Sequence, residues 1–562
     1  MLSTYTNPVY PYSRNEDQDS ERPSHHKVVI VGGGPAGLSM SIDLAKQGVE
    51  SVVLDDSNTV SVGSRAICFA KRTLEIMNRY GCAERMVSKG ITWKRGKVFF
   101  GAEKVYEFDL LPEEHHKLPA FINLQQYYFE EYLVDVIETL PEVDLRWKNR
   151  VQTVDARTDI NLLTIDTPDG IYQISCDYLI VADGANSPIR NRLGLESKGQ
   201  VFQDRFLIAD VVMKADFPTE RWFWFEPPFH PEQSALLHRQ ADNVWRIDLQ
   251  LGWDADPEWE KREENIRPRI EAMLGQDKHF DLEWASVYTF QCRKMDDFIH
   301  KRVFFVGDAA HQVSPFGARG ANGAIQSVEN LAWKLCRVLN HTAPPKLLRT
   351  YNEERQYAAK ENILNSTRAT DFITPKSDMS KVLRNATLNL AKIYPFARPL
   401  INSGRLSTPC TYQHSALNTP DRDTFENAPP LGSPVLDAQV QHHAHDSWLL
   451  DWVGNQFVLM VAEGGDEQDE LLSELSNIDD LEVLLISRDL QPASHQGINQ
   501  LTTINQLADM KGLLHQRYDL SEGAAYLFRP DQVITARWRQ PTFNDVTNAM
   551  QRALGHQLEE AQ

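Results

Sequence analysis

Residues 27–37 read Lys27-Val28-Val29-Ile30-Val31-Gly32-Gly33-Gly34-Pro35-Ala36-Gly37. An unbroken run of β-branched residues is the pattern of a strand buried on both faces, as at the centre of a parallel sheet. It leads directly into Gly-x-Gly-x-x-Gly, then into an apolar helical stretch through Leu44, and a second strand pattern follows at Ser51–Leu54. This is a βαβ unit. Gly32 permits the tight turn, Gly34 lets a pyrophosphate approach the backbone beside Ala36, and Gly37 lets helix and strand lie close. The helix N-terminus then stabilises phosphate charge. Asp55 ends the second strand, 18 residues past Gly37, where it suits hydrogen bonds from a ribose diol. A Gly-rich turn without a ligand would leave that acid unexplained, so the unit is read as dinucleotide-binding.

Working outward, 562 residues exceed one domain. The balance of 58 basic against 78 acidic residues gives a net charge of −20. That speaks against nucleic acid, whose phosphates demand clustered Lys and Arg, and against docking to anionic lipid. Six cysteines (Cys68, Cys82, Cys176, Cys292, Cys336, Cys410) lie far apart without a CxxC pair, which fits reduced thiols in the cytosol and excludes a zinc ribbon. Residues 1–26 show no apolar core of a secretory signal and read as a loose arm. No apolar run approaches the ~20 residues that span a bilayer. His25-His26, His115-His116 and His442, His443 and His445 lack a matching carboxylate constellation, and no metal site is expected.

The texture changes along the chain. Segments Arg221–Glu226, Ala235–Arg239 and Val244–Leu251 alternate and are aromatic-rich, as antiparallel strands are, with a turn at Ala241-Asp242-Asn243. Nucleotide-binding texture resumes at Arg302–Asp308, and helical periodicity runs from Ala324 to about Ile401. A Pro- and Asn-rich link, Asn418–Pro434, precedes strand patterns at Phe457–Val461, Glu482–Ile486 and Ala524–Phe528.

Two further motifs specify the nucleotide. Residues 177–190 read DYLIVADGANSPIR, a buried strand ending in Asp183-Gly184. Residues 302–334 read RVFFVGDAAHQVSPFGARGANGAIQSVENLAWK, a strand ending in Gly307-Asp308 and a Pro/Gly-rich loop opening a helix. With Ser64-Arg65-Ala66, Gln126-x-x-x-Glu130 and Tyr351-Asn352-Glu353-Glu354-Arg355, this set resembles the FAD-dependent aromatic-ring hydroxylases, the p-hydroxybenzoate and phenol hydroxylase family that includes 3-(3-hydroxyphenyl)propionate hydroxylases, over about residues 27–400.

The resemblance implies an α/β fold: a discontinuous Rossmann-like FAD domain (27–195 and 294–400), a β-rich substrate domain (196–293), a linker (401–429) and a C-terminal thioredoxin-like domain (430–562). That last segment is marked by Tyr526-Leu527-Phe528-Arg529-Pro530-Asp531 and contains no cysteine, so its role would be packing or a dimer interface. By the same resemblance Asp55 holds the adenosine ribose, Asp308 the ribityl chain, and Arg65 and Gln126 the middle of a non-covalent FAD. Pro315 lines the flavin ring, and backbone N–H groups of Gly320, Ala321 and Asn322 face its pyrimidine edge, where a helix N-terminus favours the anionic reduced flavin. Asp183 stands near the FAD or the nicotinamide path, with turn capping as its plain alternative; His311 reads as structural. Arg319 and Ser327-Val328-Glu329 depart from the family pattern.

The implied activity is hydroxylation of a phenolic compound with NADH or NADPH and O₂ through a flavin hydroperoxide; a cytoplasmic homodimer is expected. Pro315, Arg246, His238 and Tyr288 are the expected catalytic and substrate-side residues. Trp222-Phe223-Trp224-Phe225-Glu226-Pro227 raises the alternative of a flavin-dependent halogenase, although Glu226 breaks that motif; a non-oxygenating FAD reductase is the other alternative.

Overall fold

The computed structural model describes residues 3–215, 217–275, 278–401, 406–443, 445–464, 466–475, 478–488 and 504–558. Five helices are used below: α1 (Pro35–Ala45), α2 (Lys71–Tyr80), α3 (Gln126–Ile137), α4 (Gly320–Leu339) and α5 (Arg349–Ile373), and a sixth, α6 (Asp378–Ile393), follows.

The first sheet has the strand Ser24–Val31 at its centre, parallel to Ser51–Leu54 on one side and to Gly170–Val181 on the other. Val143–Arg146 and Val303–Phe305 extend it in parallel on either side. Its apolar residues fill one core with α1 and α4. Because Val28–Val31 are buried on both faces, the run does not alternate, which is why it reads as a parallel-sheet strand.

The second sheet contains the segments expected as antiparallel strands: Arg221–Phe225, Ser234–Arg239 and Val244–Leu251, with a one-turn 3₁₀ link at Ala241–Asn243. Ser197–Val212 and Asp281–Met295 pair beside them. The sheet also takes in Arg95–Phe100, parallel to Arg221–Phe225, and Glu103–Asp109 beyond it. Both come from far earlier in the chain, and their pairing was not expressed in the local sequence pattern.

A third, seven-stranded sheet lies C-terminal. Phe457–Ala462 and Leu481–Ser487 pair in parallel, and Ala525–Phe528 with Ile534–Trp538 forms an antiparallel pair at one side. The stretch leading to it is fastened to the body: Tyr412 Oη accepts a hydrogen bond from Arg355 Nη1 at 2.6 Å.

One expectation is corrected. Of residues 1–26, read as a loose arm, 3–23 are docked and 24–26 already belong to the central strand. Tyr5 stacks on Tyr127 with centroids 4.1 Å apart, and Tyr10 stacks on Trp147 at 4.7 Å. The Thr4 N–H donates to Glu283 at 2.8 Å, and Asp17 accepts from Arg146 at 2.7 Å. The polar average of the segment hides these aromatic anchors, and aromatic stacking adds ~0.5–1.5 kcal/mol each beyond area burial.

Candidate active site

The Gly-rich turn has the geometry its spacing requires. Gly32 takes φ +111°, and a Cβ there would lie 2.5 Å from the Ala182 carbonyl oxygen. A Cβ on Gly37 would lie 1.8 Å from the Gly32 carbonyl oxygen, so α1 can meet the turn only through glycine. A Cβ on Gly34 would meet nothing within 4 Å; this position opens onto a cavity of about 730 Å³. Asp55 is fixed by the Gly33 N–H (2.5 Å) and the Ser57 N–H (2.7 Å). Burial pushes its carboxyl up while those two donors pull it down.

Gly32, Gly34, Ala36, Asp55, Arg65 and Gln126 line one end of this cavity. Gln126 is locked in place: its Oε1 accepts from the Ala66 N–H at 3.0 Å, and its Nε2 donates to Glu130 at 2.8 Å. Glu130 in turn accepts from the Ser61 N–H at 2.6 Å. The Gln-x-x-x-Glu spacing thus puts both side chains on one face of α3 to hold the loop that carries Arg65.

Asp183, Gly307 and Asp308 line the middle. Asp308 is open to the cavity yet enclosed deep in the fold, and its carboxylate makes no hydrogen bond to any described residue. Burial pushes it up to about 6, with the Arg65 charge acting in the opposite sense. Asp183 does cap a turn, its Oδ2 accepting from the Ile189 N–H at 3.2 Å, while its Oδ1 is buried without a partner.

Pro315, Gly320, Ala321 and Asn322 line the cavity where α4 begins. The first N–H groups of a helix have no acceptor within it. The Asn322 side chain is already engaged, accepting from Thr73 Oγ1 at 2.6 Å and donating to the Ala318 carbonyl at 2.6 Å, so the backbone is what it presents. His311 is buried beside Ser327 (3.3 Å), and burial drops its imidazole to about 3. The unusual Glu329 points away from the cavity into a pair with Arg72, both carboxylate oxygens 2.7 Å from Nη2. Arg319 turns back over Gly317, whose φ is +105°.

The second sheet supplies the far wall. His238, Arg246 and Tyr288 all line it. Arg246 is clamped: Nε and Nη2 bind the two oxygens of Asp210 at 2.8 and 2.7 Å, and Nη2 also donates to the Ser64 carbonyl at 2.5 Å. It therefore ties the sheet to the Arg65 loop. Burial drives the His238 imidazole well below its ordinary value, so it is neutral, and its Nδ1 has no partner.

Sequence reasoning missed Arg221 and Asp248. Both line the same wall. Arg221 makes no hydrogen bond or ion pair with any described residue, and burial lowers its guanidinium. Burial pushes Asp248 up to about 6 despite the charges of Arg246 and Arg221, and its buried Oδ1 has no hydrogen-bond partner. The i, i+2 spacing from Arg246 to Asp248 was the available signal, because it places both on one sheet face. Phe206, Phe290 and Phe316 close the apolar side, with ring centroids 5.0–5.3 Å apart.

A Gly-rich turn, a ribose-spaced acid and a long cleft ending at a mixed sheet define a dinucleotide-binding oxidoreductase fold. The family model described as "FAD binding domain" matches residues 25–366, and the chain belongs to this family, as an FAD-dependent aromatic hydroxylase. It is 27% identical over 399 residues to the 3-(3-hydroxy-phenyl)propionate/3-hydroxycinnamic acid hydroxylase of Burkholderia cenocepacia (strain HI2424), covering 70% of this chain and 72% of that protein. It is 29% identical over 336 residues to the probable NADH-specific resorcinol 4-hydroxylase of Rhodococcus jostii (strain RHA1), covering 58% and 62%. Among solved structures, the flavin-dependent monooxygenase PieE in complex with FAD and substrate superposes with a TM-score of 0.78 at 21% identity, covering 95% of this chain and all of that one. These relatives support the hydroxylase reading over halogenase or reductase.

Proposed function

We propose that the chain hydroxylates a phenolic aromatic compound, consuming NADH or NADPH and O₂, with non-covalent FAD lying along the cavity from Gly34 to Pro315. The observation that carries this is the cavity's continuity: one cleft joins the Gly-rich turn to the wall bearing Arg221, His238, Asp248 and Tyr288. The fit to FAD rests on groups left wanting a partner inside it, the Asp308 carboxylate and Asp183 Oδ1. Asp55 would hold the adenosine ribose, Arg65 and Gln126 the middle, Asp308 the ribityl chain, and the N–H groups of Gly320, Ala321 and Asn322 the flavin's pyrimidine edge. Bound FAD supplies hydride acceptance from the nicotinamide and oxygen transfer to the ring.

The chain's own groups prepare the substrate. Asp248, ionised above about pH 6, takes the phenolic proton, and Arg221 stabilises the phenolate it leaves, because a charge-assisted contact is about twice a neutral one. His238, kept neutral by burial, and Tyr288 orient the ring. The Phe206, Phe290 and Phe316 rings exclude water, which keeps the reduced cofactor from unproductive discharge. Mass spectrometry under ¹⁸O₂ with a phenol panel tests the reading: the expected product carries one labelled oxygen, and an unlabelled product across the panel overturns it.

The finer architecture is part of the same proposal. The units run 27–195 with 294–400, 196–293 and 430–562, except that residues 24–26 extend the first sheet and 95–109 join the second; the parallel pair and flanking antiparallel pair of the C-terminal sheet support its thioredoxin-like reading. Among the described residues none of the six cysteines forms a disulfide, which supports a cytoplasmic setting, and the enzyme works as a homodimer.

A further inference from the structure

Helix α6 buries one face and leaves the other bare. Arg384, Leu388 and Ala391 turn inward, the last two into the apolar cluster behind the second sheet. On the outside, Met379, Val382, Leu383, Leu390 and Ile393 are 37–77% exposed, and Tyr394, Phe396 and Leu400 continue the surface at 49–69%. Between Met379 and Ile393 the other exposed positions are Ser380, Ala386 and Asn389, and none is charged.

The arrangement of that face is symmetric. Met379 and Ile393 lie seven residues either side of Ala386; Val382 and Leu390 lie four either side, and Leu383 and Asn389 three. A helical face whose positions mirror about its midpoint is self-complementary when a second copy runs antiparallel across it, which is the requirement of an isologous two-fold contact. The small Ala386 stands where the two helices would cross, and 16 residues give about 24 Å of contact length. Only with Tyr394, Phe396 and Leu400 counted is the exposed apolar surface on the order of 800 Å², one partner's share of a standard interface.

We propose that this face of α6 is where two copies of the chain join, antiparallel, about a two-fold axis at Ala386. The inference rests on the homodimer reading above and adds its location, away from the C-terminal segment. Charge argues for a second copy over a lipid surface. An interfacial helix offers lysines beside its apolar face, whereas Lys381 is turned to Glu226 (3.6 Å) and Glu232 (3.8 Å), and Lys392 to Glu103 (2.7 Å), all in the same chain.

Light scattering on the eluting FAD-loaded protein tests this. The expected mass is twice 64.2 kDa, and Leu383→Glu with Leu390→Glu lowers it to one chain while the flavin absorbance persists. Ile171→Glu, at an exposed apolar site elsewhere, keeps the larger mass. Under mild oxidant Ala386→Cys links to its own kind beyond the wild-type background, because its mate lies at the axis within disulfide reach. Met379→Cys and Ile393→Cys link when mixed and not alone. A wild-type monomer overturns both the dimer and its location, as does a monomer that binds neutral-lipid vesicles. A dimer that survives the double Glu variant, or fails to cross-link at Ala386, overturns the location alone.

Discussion

Arg529, from the C-terminal sheet, lies wholly buried with its Nη1 2.7 Å from Oε1 of Glu354 on α5. Lys334 on α4 reaches the same carboxylate at 2.8 Å, and Asp531 takes the other side of the guanidinium at 2.6 Å. Arg72 on α2 donates to the Asp531 carbonyl at 3.0 Å. The C-terminal segment is thus inserted beneath the helix whose first turn lines the cavity.

Breaking one partner of such a network strands the rest in a dry interior, at a cost of ~3–5 kcal/mol. Arg529→Met is therefore expected to lower the melting temperature sharply. The double variant Arg529→Met with Glu354→Gln should lose less than the sum of the singles. Additive losses in thermal unfolding would show the two residues to be uncoupled.

Asp308 sets a pH dependence. Its carboxyl sits near 6 without cofactor, above the ordinary Asp value, so its contribution to apo-protein stability is greatest below that ordinary value and declines as pH rises through about 6. With Asp308 on the ribityl chain as proposed, FAD binding needs the opposite, ionised form. Affinity for FAD should fall as pH drops through about 6, and Asp308→Ala should weaken binding by ~1.5–3 kcal/mol, about 10- to 150-fold in Kd, and flatten the profile. Flavin fluorescence titrations between pH 5 and 8 would read both effects.

Arg221→Met should leave FAD occupancy intact and lower kcat/KM about tenfold or more, because the variant keeps the stem and removes the charge. Steady-state kinetics alongside the flavin spectrum checks this. Equal loss of flavin and of turnover would assign Arg221 to cofactor binding instead.

Gly37→Ala should prevent a folded flavoprotein. Its methyl would overlap the Gly32 carbonyl at 1.8 Å, and backbone on both sides leaves no side chain to move aside. Soluble, yellow Gly37→Ala protein with normal FAD content would refute the close approach.

Much of the cofactor end was legible because its determinants are local. Gly32, Gly34, Gly37 and Asp55 sit at fixed offsets on one strand–turn–helix, and buried strands such as Val303–Phe305 announce themselves by composition. The wall built by the second sheet was less legible. Arg221, Asp248 and the Asp210 clamp on Arg246 come from separate strands and meet only through cross-strand register. Tyr5 and Tyr10, which dock the N-terminal residues, were lost in a polar average for the same reason: each needs a partner more than 100 residues away.

The pairing of Arg95–Phe100 with Arg221–Phe225 also governs how the chain can be made and taken apart. As the polypeptide leaves the ribosome, residues 95–109 emerge well before the strands they edge and must wait for more than a hundred residues of synthesis. The second sheet cannot close until Asp281–Met295 has followed, so its assembly belongs to the late, long-range stage of folding. An excised segment 196–293 would expose the edge that Arg95–Phe100 covers, a template for association with other chains.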